Sequence, residues 1–163
     1  MLVPVKISRL LIREMADSQF VTLEEVDGGR SFPIAIGLTE AFAIERRMSG
    51  AVPPRPQTHD LLASVVEAFG ARLVRIEIHD LDSGTFHARL VFEREGEVVL
   101  VDSRPSDALA LGVAEAVPVM VEEAVIASAS APPQTLGEDQ SSGFGSTPDF
   151  DEDVEDDDEA GFG

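Results

Sequence analysis

Three short turns decide most of what this chain can fold into. Asp27-Gly28-Gly29, Asp82-Ser83-Gly84 and Glu95-Gly96 each sit between apolar runs. Pairs of that kind are hairpin signals, because they supply the left-handed backbone that a tight antiparallel connection needs. The flanking runs predict strands over 5–12, 19–25 and 31–36, then over 73–79, 85–93 and 98–101. The last of these is apolar without a break, which predicts a buried strand. Each trio of strands leads into a helix. The first spans 39–48, with Ala41, Ile44 and Met48 at helical spacing and Thr39 as cap; the second spans 105–116 and opens on Pro105.

The two β-β-β-α units align without a gap at an offset of 67. Leu23 falls on Leu90, Gly29 on Gly96, Ala41 on Ala108 and Ala43 on Ala110, with Glu40 on Asp107 and Ile44 on Leu111. An internal duplication is therefore expected. Between the units a Pro-rich connector, 51–56, leads to an extra helix over 60–69, capped by Thr58 and stopped by Gly70. A short strand over 117–121 and a last helical stretch over 122–129 complete an α+β domain. Its sheet should be mixed and largely antiparallel, with the helices packed on it.

Composition divides the chain at Ala131. The domain, 1–130, carries all 12 basic residues against 20 acidic ones, a net charge of −8. The segment 131–163 carries 11 acids and no base, and almost no aliphatic side chains. It is expected to be a disordered acidic tail, since it cannot bury enough apolar surface to order itself. Two roles are open for it. One is a solubilising extension; the other is a nucleic-acid mimic that self-inhibits, or a segment that docks a basic protein partner through Phe150 and Phe162.

An acidic body excludes a non-specific nucleic-acid binder working through a broad basic face. It leaves room for an enzyme that meets phosphates through a local arginine cluster and a bound metal. Without cysteine there is no disulfide, no thiolate zinc site and no thiol nucleophile. The first residues do not read as a signal peptide, and no apolar run reaches membrane length, so a cytoplasmic chain without a membrane partner is expected.

Polar groups concentrate at two helix starts, where free N–H groups and the dipole favour anions. In Asp102-Ser103-Arg104-Pro105-Ser106-Asp107, helix-start chemistry accounts for Pro105, one capping serine and one acid. Arg104 and a second carboxylate are left over. The matching stretch of the first unit, Ala35-Ile36-Gly37-Leu38-Thr39-Glu40, has no counterpart of Asp102 or Arg104.

The other start is Arg55-Pro56-Gln57-Thr58-His59-Asp60. The dipole there disfavours an imidazolium, and a neutral His59 suits a general base or a metal ligand. Taken alone, His59 reads as a structural helix-start residue. Asp60 could orient His59 or bind a cation, although adjacent helical residues point apart. Arg46-Arg47 reads as a solvated helix end, with a phosphate grip as the alternative. His79-Asp80-Leu81-Asp82 reads as a polar turn, since it lacks the further acids of a calcium loop. His87 should face solvent or a cleft edge. Glycine-rich phosphate loops, dinucleotide fingerprints, nucleophile elbows and paired-histidine zinc helices are absent.

Taken together, Arg55-Pro56-Gln57-Thr58-His59-Asp60-Leu61-Leu62, Thr85-Phe86-His87-Ala88 and Asp102-Ser103-Arg104-Pro105-Ser106-Asp107-Ala108 resemble the bifunctional nuclease domain family, over roughly residues 1–130. The resemblance implies an α+β fold and hydrolysis of both DNA and RNA. The matching positions are His59 and Asp60 in the first block, and Asp102, Arg104, Ser106 and Asp107 in the last. His87 stands where family members commonly have tyrosine.

On that basis Asp102 and Asp107 would hold one Mg²⁺ or Mn²⁺. Arg104, Arg55 and Ser106 would bind phosphate, and His59 would be the general base, with Asp107 and Arg104 beside it in the chemistry. The alternative is a non-enzymatic regulatory or assembly module. There Asp102, Arg104 and Asp107 would form an ion-pair network, with Arg55 or Arg104 tying the two helix starts together. Open sheet edges also lead us to expect a symmetric homo-oligomer.

Overall fold

Turn chemistry lays down the sheet as two antiparallel meanders. In a computed structural model describing residues 1–13 and 15–130, β1 (Leu2–Leu11), β2 (Gln19–Glu25) and β3 (Ser31–Ile36) form the first. The second consists of β4 (Ala71–Asp82), β5 (Thr85–Arg94) and β6 (Glu97–Ser103). Ser83-Gly84 and Glu95-Gly96 have both residues at positive φ, 49° and 82° and then 53° and 83°, as the commonest two-residue hairpin loop requires. The acidic tail expected over 131–163 lies outside the described residues.

Between the meanders runs β7 (Val119–Glu122), antiparallel to β1 and parallel to β4, so the strand order is β3-β2-β1-β7-β4-β5-β6. Helices α1 (Leu38–Met48), α3 (Pro105–Gly112) and α4 (Glu123–Ser130) cover the core, which holds Val21, Leu23, Phe32, Ile44, Ile76, Ile78 and Leu109. Helix α2 (Thr58–Ala68) lies against α3 and β4 and has no buried residue. This is a mixed, largely antiparallel α+β fold. Among the described residues no helix is long and apolar enough to cross a membrane.

At an offset of 67 residues, β2, β3 and α1 overlap β5, β6 and α3. Shared element order is what this establishes; the duplication itself stays an expectation.

Several local expectations are corrected. The 98–101 run is not buried: β6 is an edge strand, and Val98, Val99, Leu100 and Val101 are 43–66% exposed. In α1 the third inward residue is Arg47, 8% exposed, while Met48 faces solvent. The second long helix stops at Gly112, where a Cβ would come 2.7 Å from Ile76 Cδ1. A 3₁₀ turn follows, Val113–Glu115, and then Ala116 in the left-handed region at φ 51°.

Candidate active site

Helices α1, α2 and α3 each carry an acid at the third helical position: Glu40, Asp60 and Asp107. A carboxylate there complements free N–H groups and the dipole. The residues that precede the helices are Gly37, Gln57 and Arg104, all extended. Thr39 and Thr58, expected as caps, are already helical. Ser103 Oγ turns instead to the Arg104 carbonyl at 2.9 Å.

Asp107 joins the β6–α3 junction to α2. His59 Nε2 donates to its Oδ1 at 3.1 Å, and Arg104 Nε donates to its Oδ2 at 2.8 Å. Arg104 Nη2 then reaches Glu40 Oε1 on α1 at 2.9 Å. Burial pushes the Asp107 carboxyl up, but the bonds from Arg104 and His59 outweigh it and hold the group below the ordinary carboxylate range. An ionised carboxylate only accepts, so the proton of the ring sits on Nε2, and Nδ1 of a neutral His59 is the basic nitrogen. Asp107 first, and Glu40 second, push the Arg104 guanidinium still higher than its usual value. His59 is largely covered, whereas the Arg104 side chain is 66% exposed. The cluster thus has a sheltered base and a solvent-facing fork.

His59, Arg104 and Asp107 line a cavity of about 650 Å³ whose apolar walls include Leu62, Val66, Phe92 and Val101. Arg104 also borders a second cavity, of about 470 Å³, with Ser106, Phe86 and Gly37. Ser106 is buried and lines that second space rather than the first. Asp102 also lines the larger cavity. Its register partner is Arg89, whose Nε bonds Glu77 on the sheet face away from the core. Arg55 is exposed on the connector and makes no hydrogen bond or ion pair among the described residues.

The neighbours His59 and Asp60 are parted. Asp60 accepts from Arg46 Nη2 at 2.8 Å, from Arg47 Nη1, and from the Gln57 N–H at 2.9 Å. Burial raises its carboxyl, and the Gln57, Arg46 and Arg47 bonds bring it below the ordinary range. Arg47 Nη2 also bonds the Leu111 carbonyl at 3.1 Å. Arg46-Arg47 is therefore a covered clamp between α1, α2 and α3, not a solvated helix end.

Several charged residues with defined partners escaped the sequence reading, among them Arg30, which is held by Glu25 and Glu123, and the acids Glu40 and Glu77. Glu40 is the second partner of Arg104, and the signal was present, since it falls on Asp107 at the offset of 67. Glu77, 1% exposed, is held by Arg75 Nε at 2.5 Å and Arg89 Nε at 2.6 Å. Alternate spacing of Arg75 and Glu77 on one strand was its only local sign. His79 and His87 stand apart from the cluster, on the β4–β5 hairpin.

Comparison with known proteins agrees with the motif blocks. The family model described as the bifunctional nuclease domain matches residues 21–134. Two uncharacterized proteins, from two strains of Mycobacterium tuberculosis, are each 40% identical over 125 residues, covering 77% of this chain and 74% of theirs.

Proposed function

This chain belongs to the bifunctional nuclease domain family, and on that premise we propose that it hydrolyses phosphodiester bonds of DNA and RNA at the His59–Asp107–Arg104 cluster. The observation that carries the proposal is the His59 Nε2 bond to Asp107 Oδ1, with Arg104 on the other carboxylate oxygen at a cavity wall.

In this mechanism His59 Nδ1 takes a proton from the attacking water as the water oxygen bonds to phosphorus. In RNA the 2′-hydroxyl is the alternative nucleophile. The bond from phosphorus to the leaving oxygen breaks, and that oxygen takes a proton from the imidazolium. Asp107 stabilises the imidazolium between the two transfers and keeps the ring in one tautomer. Arg104 Nη1, which neither acid uses, meets the non-bridging phosphoryl oxygens. Ser106 and the exposed Arg55 would contact neighbouring phosphates.

A resident Mg²⁺ or Mn²⁺ would have to be held by Asp102 and Asp107. Both oxygens of Asp107 are engaged, and the register of Asp102 puts it opposite Arg89. Among the described residues no three His, Asp, Glu or Cys side chains converge as a cage. This donor set does not fit a resident metal, and no step above is routed through one.

Glu40 favours a second reading. Arg104 is balanced by two acids on two helices, as it would be in a structural bridge of a non-enzymatic module. One experiment separates the two. The purified chain is incubated with labelled single- and double-stranded DNA and RNA, with Mg²⁺, Mn²⁺ or EDTA, beside His59→Gln and Asp107→Asn. Cleavage lost in both variants while each stays folded at the assay temperature supports the nuclease. Equal cleavage by all three proteins refutes the assignment. Failure of the folded parent chain to cut any substrate favours the bridge.

A further inference from the structure

The two edges of the sheet differ in kind. β3 carries Pro33, which removes a donor from the strand, and its Ser31 carbonyl accepts from Ser130 Oγ at 3.5 Å. β6 has no proline, no lysine and no bulge over Glu97–Ser103, and its charged residues, Glu97 and Asp102, stand near its two ends, leaving Val98–Val101 unguarded. Its outward backbone groups have no partner among the described residues. Such a strand is a template for another strand.

Its side chains are apolar on both faces. Val99 and Val101 stand opposite Phe92 and Leu90 on the core side, and Val98 and Leu100 opposite Glu93 and Val91 on the other. Beside them Leu61, Leu62 and Val65 of α2, and Phe69 just after it, are 40–67% exposed. The His59 cavity joins the two surfaces, since Leu62 and Val66 form one wall and Phe92 and Val101 another. On the core side the exposed Val99 and Val101, with Leu61, Leu62, Val65 and Phe69 beside them, make an apolar surface of the kind that marks an interaction site.

We propose that this face is the interface of a symmetric homodimer, and that a second copy of the chain walls the His59 cavity. A second copy fits for two reasons. Chains that each carry −19 must approach through a surface low in charge; 98–101 and 61–66 hold no charged residue, and Glu67, Glu97 and Asp102 lie at the margins of this face. Strand β6 is also self-complementary. Antiparallel pairing about Leu100 sets Val99 against Val101 and Val98 against Asp102, with no like charges directly opposed. The link to the cavity rests on the nuclease reading, whereas the dimer does not.

Sedimentation of the full chain from about 1 to about 100 μM is the test, with Leu100→Lys and Leu61→Lys run alongside. Both leucines are exposed in the single chain, so the variants should keep its circular dichroism. A mass of twice 17.4 kDa is expected at the upper end. Each lysine should weaken association about tenfold or more. Outward β6 amides should gain exchange protection as concentration rises. A monomer throughout overturns the proposal, and so does a dimer indifferent to both substitutions. Protection of β6 independent of concentration also overturns it, since that is what the 131–163 segment seated there would give. Mass is read without substrate, so a monomer that cuts nucleic acid and a dimer that does not are distinct results.

Discussion

Replacing Asp60 with alanine should cost far more stability than the same change at Asp107, although both acids occupy the third position of a helix and both hold arginine. The difference lies in what each leaves behind. Arg47 has a side chain only 7% exposed; without Asp60 it keeps one bond, to the Leu111 carbonyl, and its Nε has no partner. Stranding a covered guanidinium in this way costs about 3–5 kcal/mol. Arg46 keeps the Ala51 carbonyl at 3.2 Å and adds less. Arg104, by contrast, turns to water or stays on Glu40, so Asp107→Ala should cost only about 1–2 kcal/mol. At roughly 3–5 °C per kcal/mol for a domain of this size, the expected falls in Tm are about 9–25 °C and about 3–10 °C. Urea titrations followed by circular dichroism give both values, with an unchanged slope as the check on two-state behaviour. An Asp60→Ala protein within about 1 kcal/mol of the parent, or equal losses in the two variants, would refute the reasoning.

His59→Gln should lower phosphodiester cleavage by about 10²–10⁴ while the urea midpoint stays near that of the parent; matching losses of both would make His59 structural. Asp60, Glu77 and Asp107 are each raised by burial but brought below their ordinary values by hydrogen-bonded partners. The unfolded chain then binds more protons, so their stabilisation is complete above the unfolded carboxylate values near ~4 and is lost as pH falls through the lower folded ones. Urea midpoints that rise on acidification below about pH 4 would contradict this. Gly112→Ala should cost about 1–3 kcal/mol by overpacking against Ile76 Cδ1, and adding Ile76→Val should recover part of it; a double variant no better than the single would count against the contact.

Much of this was written in local sequence. The bounds of β2 and β3 follow from alternation broken by Asp27-Gly28-Gly29, and the α3 start follows from Pro105. What the sequence hid was long-range. Four apolar residues in a row look the same in a central strand and in an edge strand, and only the sheet order tells them apart. Arg46-Arg47 looked like a solvated helix end because Asp60, its partner, is more than a dozen residues away. Hydroxyls at 39 and 58 suggested caps, yet the acids at 40 and 60 mark the true helix starts. The His59–Asp107 contact spans 48 residues. The motif blocks named both members, but no periodicity could join them. The register that sets Asp102 opposite Arg89 is likewise a property of the sheet order and not of the local sequence.

The position of β7 bears on how the molecule is made. The two meanders are local structures, each closed by hairpins of a few residues, and can form as soon as their own strands are synthesised. They do not pair with each other; four residues, Val119–Glu122, join them, pairing Leu2–Val5 on one side and Ile76–Ile78 on the other. Closing the sheet therefore means bringing together segments more than a hundred residues apart, the kind of step that slows folding most. Until residue 122 has left the ribosome, the facing edges of β1 and β4 stay open, and the nascent chain holds two half-sheets waiting for a strand.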